Sequence, residues 1–229
     1  MANILAIDTS TEACSVALTY NGETDFIFEI CPQQHSQKIL TFVDQLLARN
    51  QIGLNAIDTL AYGCGPGSFT GVRIAASTVQ GLAFGTDLPV AQVSTLAAMC
   101  YQNYKENKVS ETLALIDARM NEVYSGYYRC SEDGILHLAE EQVVPPEEMR
   151  ELVAGLSSEQ FVGTGYEAYQ DVLGIKTLPK PLKVEYPNAV AMLEIADFYR
   201  QKNALVDAES IAPTYLRDKV TWKKLPGRE

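Results

Sequence analysis

The alternation of apolar and polar positions near the N-terminus predicts three consecutive β-strands. Residues 3–9 form a short apolar run that ends in a polar turn, a pattern typical of a buried strand. Residues 14–20 alternate in hydrophobicity, and residues 23–30 return after Asn21-Gly22, which favours a hairpin turn because both residues tolerate a positive φ. We therefore expect three antiparallel strands at the start of the chain.

Helical periodicity follows these strands. Five apolar residues fall on one face of a helix predicted at about 37–49, with Ser36 as its N-cap: Ile39, Leu40, Val43, Leu46 and Leu47. The pattern then predicts a strand at about 57–63, a helix from about 70 to 84, a strand at 89–93 and a helix at about 95–104. Strands that alternate with helices indicate an α/β fold.

The opening pattern recurs after an offset of 109 residues. Residues 115–119 resemble the first strand, residues 123–129 resemble the second, and Asp133-Gly134 takes the place of the hairpin turn. An internal duplication explains this repetition, and a chance similarity of two β-meanders is the alternative. Beyond it the pattern predicts helices at about 146–154, 166–172 and 189–201 and a strand at 160–162.

A polar stretch without periodicity, residues 105–111, is predicted to link two halves of the chain. The first half covers residues 1–108. The second, at residues 109–229, is predicted to be reduced and less regular. Its irregular connection is marked by three prolines, Pro179, Pro181 and Pro187.

Composition narrows the class of protein. With 47% hydrophobic and 21% charged residues, the chain has the composition of a globular protein with a sizeable core. It shows neither a secretory signal nor an apolar run approaching the roughly 18 residues of a membrane span. Five cysteines, an odd number without a C-x-x-C pair, are expected to be reduced thiols. These features predict a cytoplasmic protein that does not bind a membrane.

The net charge of −11 disfavours direct binding of nucleic acid, because such binding neutralises several phosphates with Lys and Arg. The C-terminal residues 217–229 are the exception, since basic residues dominate there. This tail has two interpretations, a solvated terminus or a docking arm for an acidic partner.

The first candidate for chemistry is Asp8 with Thr9, Ser10 and Thr11. An aspartate that ends a strand, followed by hydroxyl residues in a tight turn, can hold phosphate oxygens through backbone N–H groups and a metal-bound water. The alternative is an Asx-turn that only stabilises the strand end, and the local pattern favours it.

The glycine-rich segment GPGSFTG at residues 65–71 is the most distinctive part of the sequence. Gly65 and Gly67 allow backbone conformations that are closed to other residues. Ser68 or Thr70 can cap the following helix, whose N-terminus attracts anions. Neither the P-loop lysine nor a G-x-S-x-G elbow is present, so the segment is a candidate phosphate site without a catalytic motif.

The helix after this segment carries small residues four positions apart, Gly71 and Ala75, then Gly81 and Gly85. Such spacing allows close packing against another helix or against the chain's own sheet. The two histidines of the chain have no second histidine or cysteine at ligand spacing and no evident nucleophile beside them. The residues alone therefore indicate no active site.

Five segments together resemble the bacterial TsaB (YeaZ) family, and the resemblance covers nearly the whole chain. They are ILAIDTSTEACSV at 4–16, His35-Ser36, GPGSFTGVRIA at 65–75, DARMNEVY at 117–124 and IAPTYLR at 211–217. The resemblance implies the actin/Hsp70/sugar-kinase-like (ASKHA) fold, with two duplicated ribonuclease H-like subdomains of which the second is reduced.

The resemblance also implies a role in making N6-threonylcarbamoyladenosine (t6A) beside the anticodon of tRNAs that read ANN codons. In that system the paralogue TsaD is the transferase, TsaE is an ATPase, and TsaB pairs with TsaD and supports its activity. The implied partners are TsaD in a heterodimer, TsaE in a larger complex, and a second copy when the chain is alone. The complex makes the main contacts with tRNA. No tightly bound cofactor is implied, although ATP or ADP can bind in the complex.

The metal site of the paralogue has no match in this sequence. TsaD holds its metal with an H-x-x-x-H pair, and Thr95 and Met99 occupy those two positions here. Neither side chain replaces an imidazole on a hard or borderline metal. The resemblance thus implies no catalytic residue, no metal and at most a vestigial phosphate site, formed by Asp8, Thr9, Ser10, Thr11, Gly65, Gly67 and Ser68.

The family pairs its subunits through two helices of the first half, which correspond here to residues 36–49 and 70–85. Seven apolar or small residues are candidates for this contact: Leu40, Val43, Leu47, Val72, Ala75, Ala76 and Val79. Periodicity alone does not decide which of them face outward.

Two enzymatic alternatives remain at this stage. A nucleotide-dependent small-molecule kinase is compatible with Asp8 and the fold, and a glycoprotease-like peptidase rests only on a label attached to relatives. The fold by itself does not decide between an enzyme and an accessory subunit. The sequence leaves open the stoichiometry, the TsaE contact surface, contact of the basic tail with tRNA, and whether nucleotide binds this chain.

Overall fold

The computed structural model describes residues 2–179 and 182–217 of the 229-residue chain. The strands are β1 (Ile4–Asp8), β2 (Ala13–Tyr20), β3 (Glu23–Ile30), β4 (Thr59–Gly65), β5 (Val90–Ser94), β6 (Glu111–Arg119), β7 (Glu122–Ser131), β8 (Gly134–Val144) and β9 (Phe161–Val162). The α-helices are α1 (His35–Arg49), α2 (Phe69–Thr86), α3 (Thr95–Asn107), α4 (Arg150–Ala154), α5 (Gly165–Ala168) and α6 (Ala189–Gln201). The predicted α/β class is confirmed.

Two sheets repeat one topology. The first has the strand order β3-β2-β1-β4-β5, in which β1, β2 and β3 are antiparallel and β4 and β5 run parallel to β1. The second has the order β8-β7-β6-β9, again an antiparallel meander followed by a parallel strand. The duplication expected from the sequence is therefore visible in the strand order, and the second copy is reduced because β9 has only two residues.

The two sheets and the helices form alternating layers around three apolar clusters. The central cluster joins α3 and α6 to one face of each sheet, which explains why residues 95–101 of α3 are all buried. The second cluster packs α1 and α2 on the other face of the first sheet. The third cluster covers the outer face of the second sheet with residues around α4 and α5. All five cysteines are buried and unpaired, as expected for reduced thiols.

The opening strands and turn follow the sequence pattern closely. Asn21 and Gly22 have φ angles of 51° and 85°, so the hairpin uses the positive φ that this dipeptide favours. The helix predicted at 189–201 has those same bounds in the structure, where the side chain of Asn188 caps it by accepting a hydrogen bond from the Val190 N–H.

Three local predictions are wrong. Ser36 does not cap α1, because the helix begins at His35, two residues before the predicted start, with Gln34 as an N-cap that makes no side-chain hydrogen bond. The helix predicted at about 95–104 is longer, since α3 continues to Asn107 and ends where Lys108 adopts a left-handed conformation. The residue types around these positions did not indicate where the hydrogen bonds of each helix begin and end.

The predicted helix at 166–172 is shorter in the structure. It ends at Ala168, and the carbonyl of Val172 accepts hydrogen bonds from the guanidinium of Arg150 instead of continuing a helix. Pro181 and residues 218–229 of the basic tail lie outside the described residues. Within residues 2–179 and 182–217, no helix has the length and apolar character needed to cross a bilayer.

Candidate functional site

The turn after β1 is buried and closed by its own hydrogen bonds. The Ser10 N–H donates to Oδ1 of Asp8 at 3.1 Å, and the Ser10 hydroxyl lies 3.0 Å from both carboxylate oxygens. Asp8, Thr9 and Ser10 are fully buried, and Thr11 is nearly so. This is the Asx-turn that the sequence pattern favours, and its carboxylate points to a neighbour in the turn rather than to open space.

Burial changes the acidity of this carboxyl group. Loss of water raises the pKa of Asp8 to about 7, while the hydrogen bonds from Ser10 act in the opposite direction. The cause is general, since removing an acid from water disfavours its charged form. Asp8 therefore releases its proton near neutral pH in the folded chain.

The glycine-rich segment packs directly against this turn. The Ser68 N–H donates to the Ser10 carbonyl at 2.7 Å, and the Thr9 hydroxyl donates to the Gly71 carbonyl at the same distance. A Cβ on Gly67 would lie 2.3 Å from the Ser10 carbonyl oxygen, and one on Gly71 would lie 2.0 Å from that of Thr9. Glycine is therefore required for the close approach of two backbones.

The start of α2 is set by Ser68 and not by Thr70. The Ser68 hydroxyl accepts a hydrogen bond from the Gly71 N–H at 3.3 Å, the geometry of a serine N-cap. Upstream, Gly65 has a φ of +103° and precedes Pro66 through a cis peptide bond. The segment thus directs the N-terminus of α2 toward the turn at residues 8–11.

A cleft of about 1050 Å³ opens between the two halves of the molecule beside this contact. Four of the seven candidate phosphate-site residues line it: Ser10, Thr11, Gly67 and Ser68. Asp8, Thr9 and Gly65 are not part of its lining. The structure therefore brings the predicted residues together but separates the buried carboxylate from the open space.

Three arginines line the cleft, and two of them are paired with carboxylates. Arg119 contacts Glu12 at 3.2 Å and Asp117 at 2.8 Å. Arg217 binds the carboxylate of Glu122 and donates to a backbone carbonyl of the second sheet. The contacts of Arg119 with Glu12 and of Arg217 with Glu122 join segments that are far apart in the sequence, which is why the sequence pattern did not reveal them.

Arg73 differs from the other two arginines. Its guanidinium lies 3.7 Å from the centroid of the Phe69 ring, and its Nε donates to the Tyr215 hydroxyl at 2.7 Å. Among the residues that the structure describes, no carboxylate lies within 4 Å of it. It is therefore a cation held by aromatic rings at the edge of the cleft.

Thr95 and Met99, which the resemblance places at the paralogue's metal-ligand positions, lie in the core. Thr95 begins α3 and is fully buried, with no hydrogen-bond partner for its hydroxyl among the described residues. Met99 is buried one turn later in the central apolar cluster. Among residues 2–179 and 182–217, no group of three or more His, Cys, Asp or Glu side chains is placed to hold a metal ion. These residues do not fit the metal that the fold family suggests.

The seven residues proposed for partner contact divide unequally. Leu40 is 54% exposed, but the other six are buried in this chain's own core: Val43, Leu47, Val72, Ala75, Ala76 and Val79. The prediction that those six side chains form a contact surface needs correction, because five of them pack α1 and α2 onto the first sheet and Val72 is buried beside the cleft. Periodicity marks an apolar face without telling the core from a partner.

The outward face of α1 and α2 is formed by other residues. Phe84 is 58% exposed on α2, and Ser77, Gly81 and Gly85 are exposed on the same helix. A Cβ added at Gly81 or Gly85 would meet no atom within 4 Å. Of the small residues spaced along this helix, Gly81 and Gly85 are exposed and Gly71 and Ala75 are buried, so the spacing alone did not define the surface, and the exposure of Phe84 had no signal in the sequence.

Comparisons with known proteins agree on one relationship. Residues 26–225 match the family model described as "TsaD: tRNA N6-adenosine threonylcarbamoyltransferase". Two relatives named tRNA threonylcarbamoyladenosine biosynthesis protein TsaB are similar over 99% of this chain. The one from Escherichia coli K12 is 46% identical over 99% of its own length, and the one from Haemophilus influenzae is 43% identical over 98%.

Solved structures show the same similarity. YeaZ from Pseudomonas aeruginosa matches 94% of this chain and 100% of its own, with a TM-score of 0.81 and 38% identity. A second structure from that organism, described as an uncharacterized protein with similarity to peptidase YEAZ, matches 95% of this chain and 100% of its own. Its TM-score is 0.83 and its identity is 39%.

The close backbone approach at Gly71 predicts that replacing glycine by alanine changes the free energy of unfolding in different ways at positions 71 and 81 of α2. Gly71→Ala forces a methyl group against the Thr9 carbonyl and should lower the free energy of unfolding by several kcal/mol, on the order expected for overpacking. Gly81→Ala adds its methyl group in open space and should be neutral or stabilising by up to about 1 kcal/mol. Urea unfolding of both variants measures the difference, and equal effects would contradict the close approach.

Burial of Asp8 predicts a pH-dependent stability. The unfolded chain releases this proton near the ordinary pKa of 3.8 and the folded chain near 7, so the stabilising contribution is lost as pH rises through that window. Asp8→Asn removes the charge. The free energy of unfolding of this variant, measured relative to wild type, should therefore rise by roughly 2–3 kcal/mol between pH 5 and pH 8.

Urea unfolding of both proteins at pH 5, 6, 7 and 8 checks this effect, because other titrating groups cancel in the difference. A difference that stays constant over this range would show that Asp8 is ionised in the folded chain at pH 5.

Proposed function

Because the chain belongs to the TsaB (YeaZ) family, we propose that it is a non-catalytic subunit that supports synthesis of threonylcarbamoyladenosine in tRNA. Relatives named for that biosynthesis are similar over nearly its whole length. The observation that carries the proposal is the outward face of α1 and α2, which exposes apolar and small residues suited to a partner helix.

The interior of the molecule supports a role without chemistry. The carboxylate of Asp8 is buried and bonded to Ser10, away from the cleft lining. The two positions that hold a metal in the paralogue are Thr95 and Met99, and both are buried. An enzyme needs groups that can reach a substrate, and these residues support the fold instead.

The partner we propose is the paralogous transferase TsaD, bound through the outward face of α1 and α2. Leu40 and Phe84 provide large exposed apolar side chains, which are enriched at the centres of protein interfaces. Gly81 and Gly85 allow the backbone of a partner helix to come close, for the steric reason that small residues favour helix contacts. The same face would pair two copies of the chain in the absence of TsaD.

The remaining parts of the proposal concern the larger complex. TsaE joins as the ATPase, ATP or ADP binds in the complex rather than tightly to this chain alone, and the complex makes the main contacts with tRNA. The net charge of −11 supports the last point, since a strongly acidic chain repels phosphates. The paired arginines of the cleft add little free positive charge.

A substitution on the proposed contact face tests this function. Gly81→Arg places a long charged side chain where nothing lies within 4 Å, so the fold should tolerate it while a partner helix is blocked. We expect affinity for TsaD to fall at least tenfold, and t6A in tRNA to fall in cells whose only copy of the gene carries the change. Isothermal titration and mass spectrometry of digested tRNA measure the two quantities.

Ala154→Arg is the matched control, because it makes the same change of charge at an exposed helix position in the other half of the chain. It should leave both quantities unchanged. Gly81→Arg with full affinity for TsaD would exclude this face as the contact surface, and normal t6A after deletion of the gene would exclude the function.

A further inference from the structure

The C-terminal segment that follows the helices runs along the cleft from the first half of the molecule to the second. The Thr214 N–H donates to the carbonyl of Cys64, at the end of β4, at 2.7 Å. Arg217 then binds the carboxylate of Glu122 at the start of β7. Residues 214–217 all line the cleft. The chain therefore continues from Arg217 at a point inside the cleft.

The walls of the cleft carry more negative than positive charge. Four carboxylates and three arginines line it. The carboxylates belong to Glu12, Asp117, Glu167 and Glu185. Arg119 contacts the first two of them, and Arg217 is paired with Glu122, which is not part of the lining. The charge that the arginines leave over is negative and favours a basic occupant.

This negative charge is concentrated around Tyr186. Burial raises the pKa of the Tyr186 hydroxyl to about 12, and the carboxylates of Glu185, Glu12 and Glu167 act in the same direction. Within the described ranges 2–179 and 182–217, no Lys or Arg forms an ion pair with Glu185. A cation that enters the cleft beside Tyr186 therefore meets a carboxylate that no described arginine occupies.

The rest of the lining is largely apolar and aromatic. Phe69 and Tyr215 are 58% and 45% exposed, and Val72, Ile116 and Tyr124 lie deeper in the same lining. The volume of about 1050 Å³ reaches the upper end of the roughly 300–1,000 Å³ that is usual for ligand pockets. The cleft thus has room for several side chains and fits a segment that is both apolar and basic.

Residues 218–229, which lie outside the described residues, have this composition. Their basic side chains are Lys219, Lys223, Lys224 and Arg228. Val220 and Trp222 alternate with polar positions, a pattern that places apolar and polar side chains on opposite faces of an extended chain. A segment of this length spans at most about 40 Å, which is enough to return over a cleft that already contains Arg217.

We propose that residues 218–229 bind in this cleft, with Trp222 against the apolar wall and the basic side chains toward Glu185 and its neighbours. A short tether gives an effective concentration on the order of millimolar, which favours this occupant over an unrelated basic segment. The cleft is then closed to a soluble ligand until the segment leaves. The proposal does not depend on the function proposed above, because it concerns neither the outward face of α1 and α2 nor tRNA.

Fluorescence tests the contact, because Trp222 is the only tryptophan of the chain. The full chain should emit at shorter wavelength than a synthetic peptide of residues 214–229. Acrylamide should quench it at least about threefold more slowly, since the indole is shielded by the apolar wall. Emission and quenching equal to those of the peptide would overturn the proposal.

A charge reversal tests the acidic wall. Glu185→Lys turns attraction of the basic segment into repulsion, which should weaken its binding about fivefold and move emission and quenching toward those of the peptide. Glu148→Lys is the matched control, because it makes the same change at an exposed position outside the cleft lining and should have no effect. Equal behaviour of the two variants would contradict the role of Glu185.

Cross-linking tests where the segment lies. Ala168 is exposed and lines the cleft, Ala154 is exposed outside it, and the five native cysteines are buried. In dilute full-length chain, diamide takes up the two thiol hydrogens as the S–S bond forms. It should join Trp222→Cys to Ala168→Cys within one chain at least about tenfold faster than to Ala154→Cys. Equal rates, or a disulfide only between two chains, would overturn the proposal and leave the cleft to another ligand.

Discussion

The backbone contact between the turn at residues 8–11 and the start of α2 is the constraint on which the rest of the structure depends. The Ser68 N–H donates to the Ser10 carbonyl. The two backbones approach so closely that a methyl group on Gly67 or Gly71 would collide with a carbonyl oxygen of the turn. This contact closes the end of the first sheet, buries Asp8 and fixes the direction of α2. It thereby decides both what lines the cleft and which face of α2 points outward.

In the proposed function, that constraint bears on both the buried turn and the exposed side of α2. The carboxyl group of Asp8 is enclosed by its own turn and does not line the cleft. Thr95 and Met99 likewise belong to the core at the start of α3. On the opposite side of the same helix pair, Leu40 of α1 and Gly81, Phe84 and Gly85 of α2 are exposed.

Sequence reasoning succeeded where local chemistry decides the structure. The Asn21-Gly22 turn, the alternating strands and the repeated strand order followed from hydrogen bonding and side-chain period alone. It failed where distant contacts decide. Val43 and Ala76 were expected on a partner surface because an apolar helix face looks the same whether it meets a sheet or another protein. The ion pair of Arg217 with Glu122 could not be predicted either, because it joins positions that are far apart in the sequence.

The central claim is that this chain acts by binding a sister subunit and not by catalysis of its own. The most direct measurement is t6A formation in a reconstituted reaction with purified components, tRNA, threonylcarbamoyl-adenylate and ATP. The account predicts no modified tRNA with this chain alone, and modification that depends on adding it to TsaD and TsaE. Modified tRNA produced by this chain alone would contradict it.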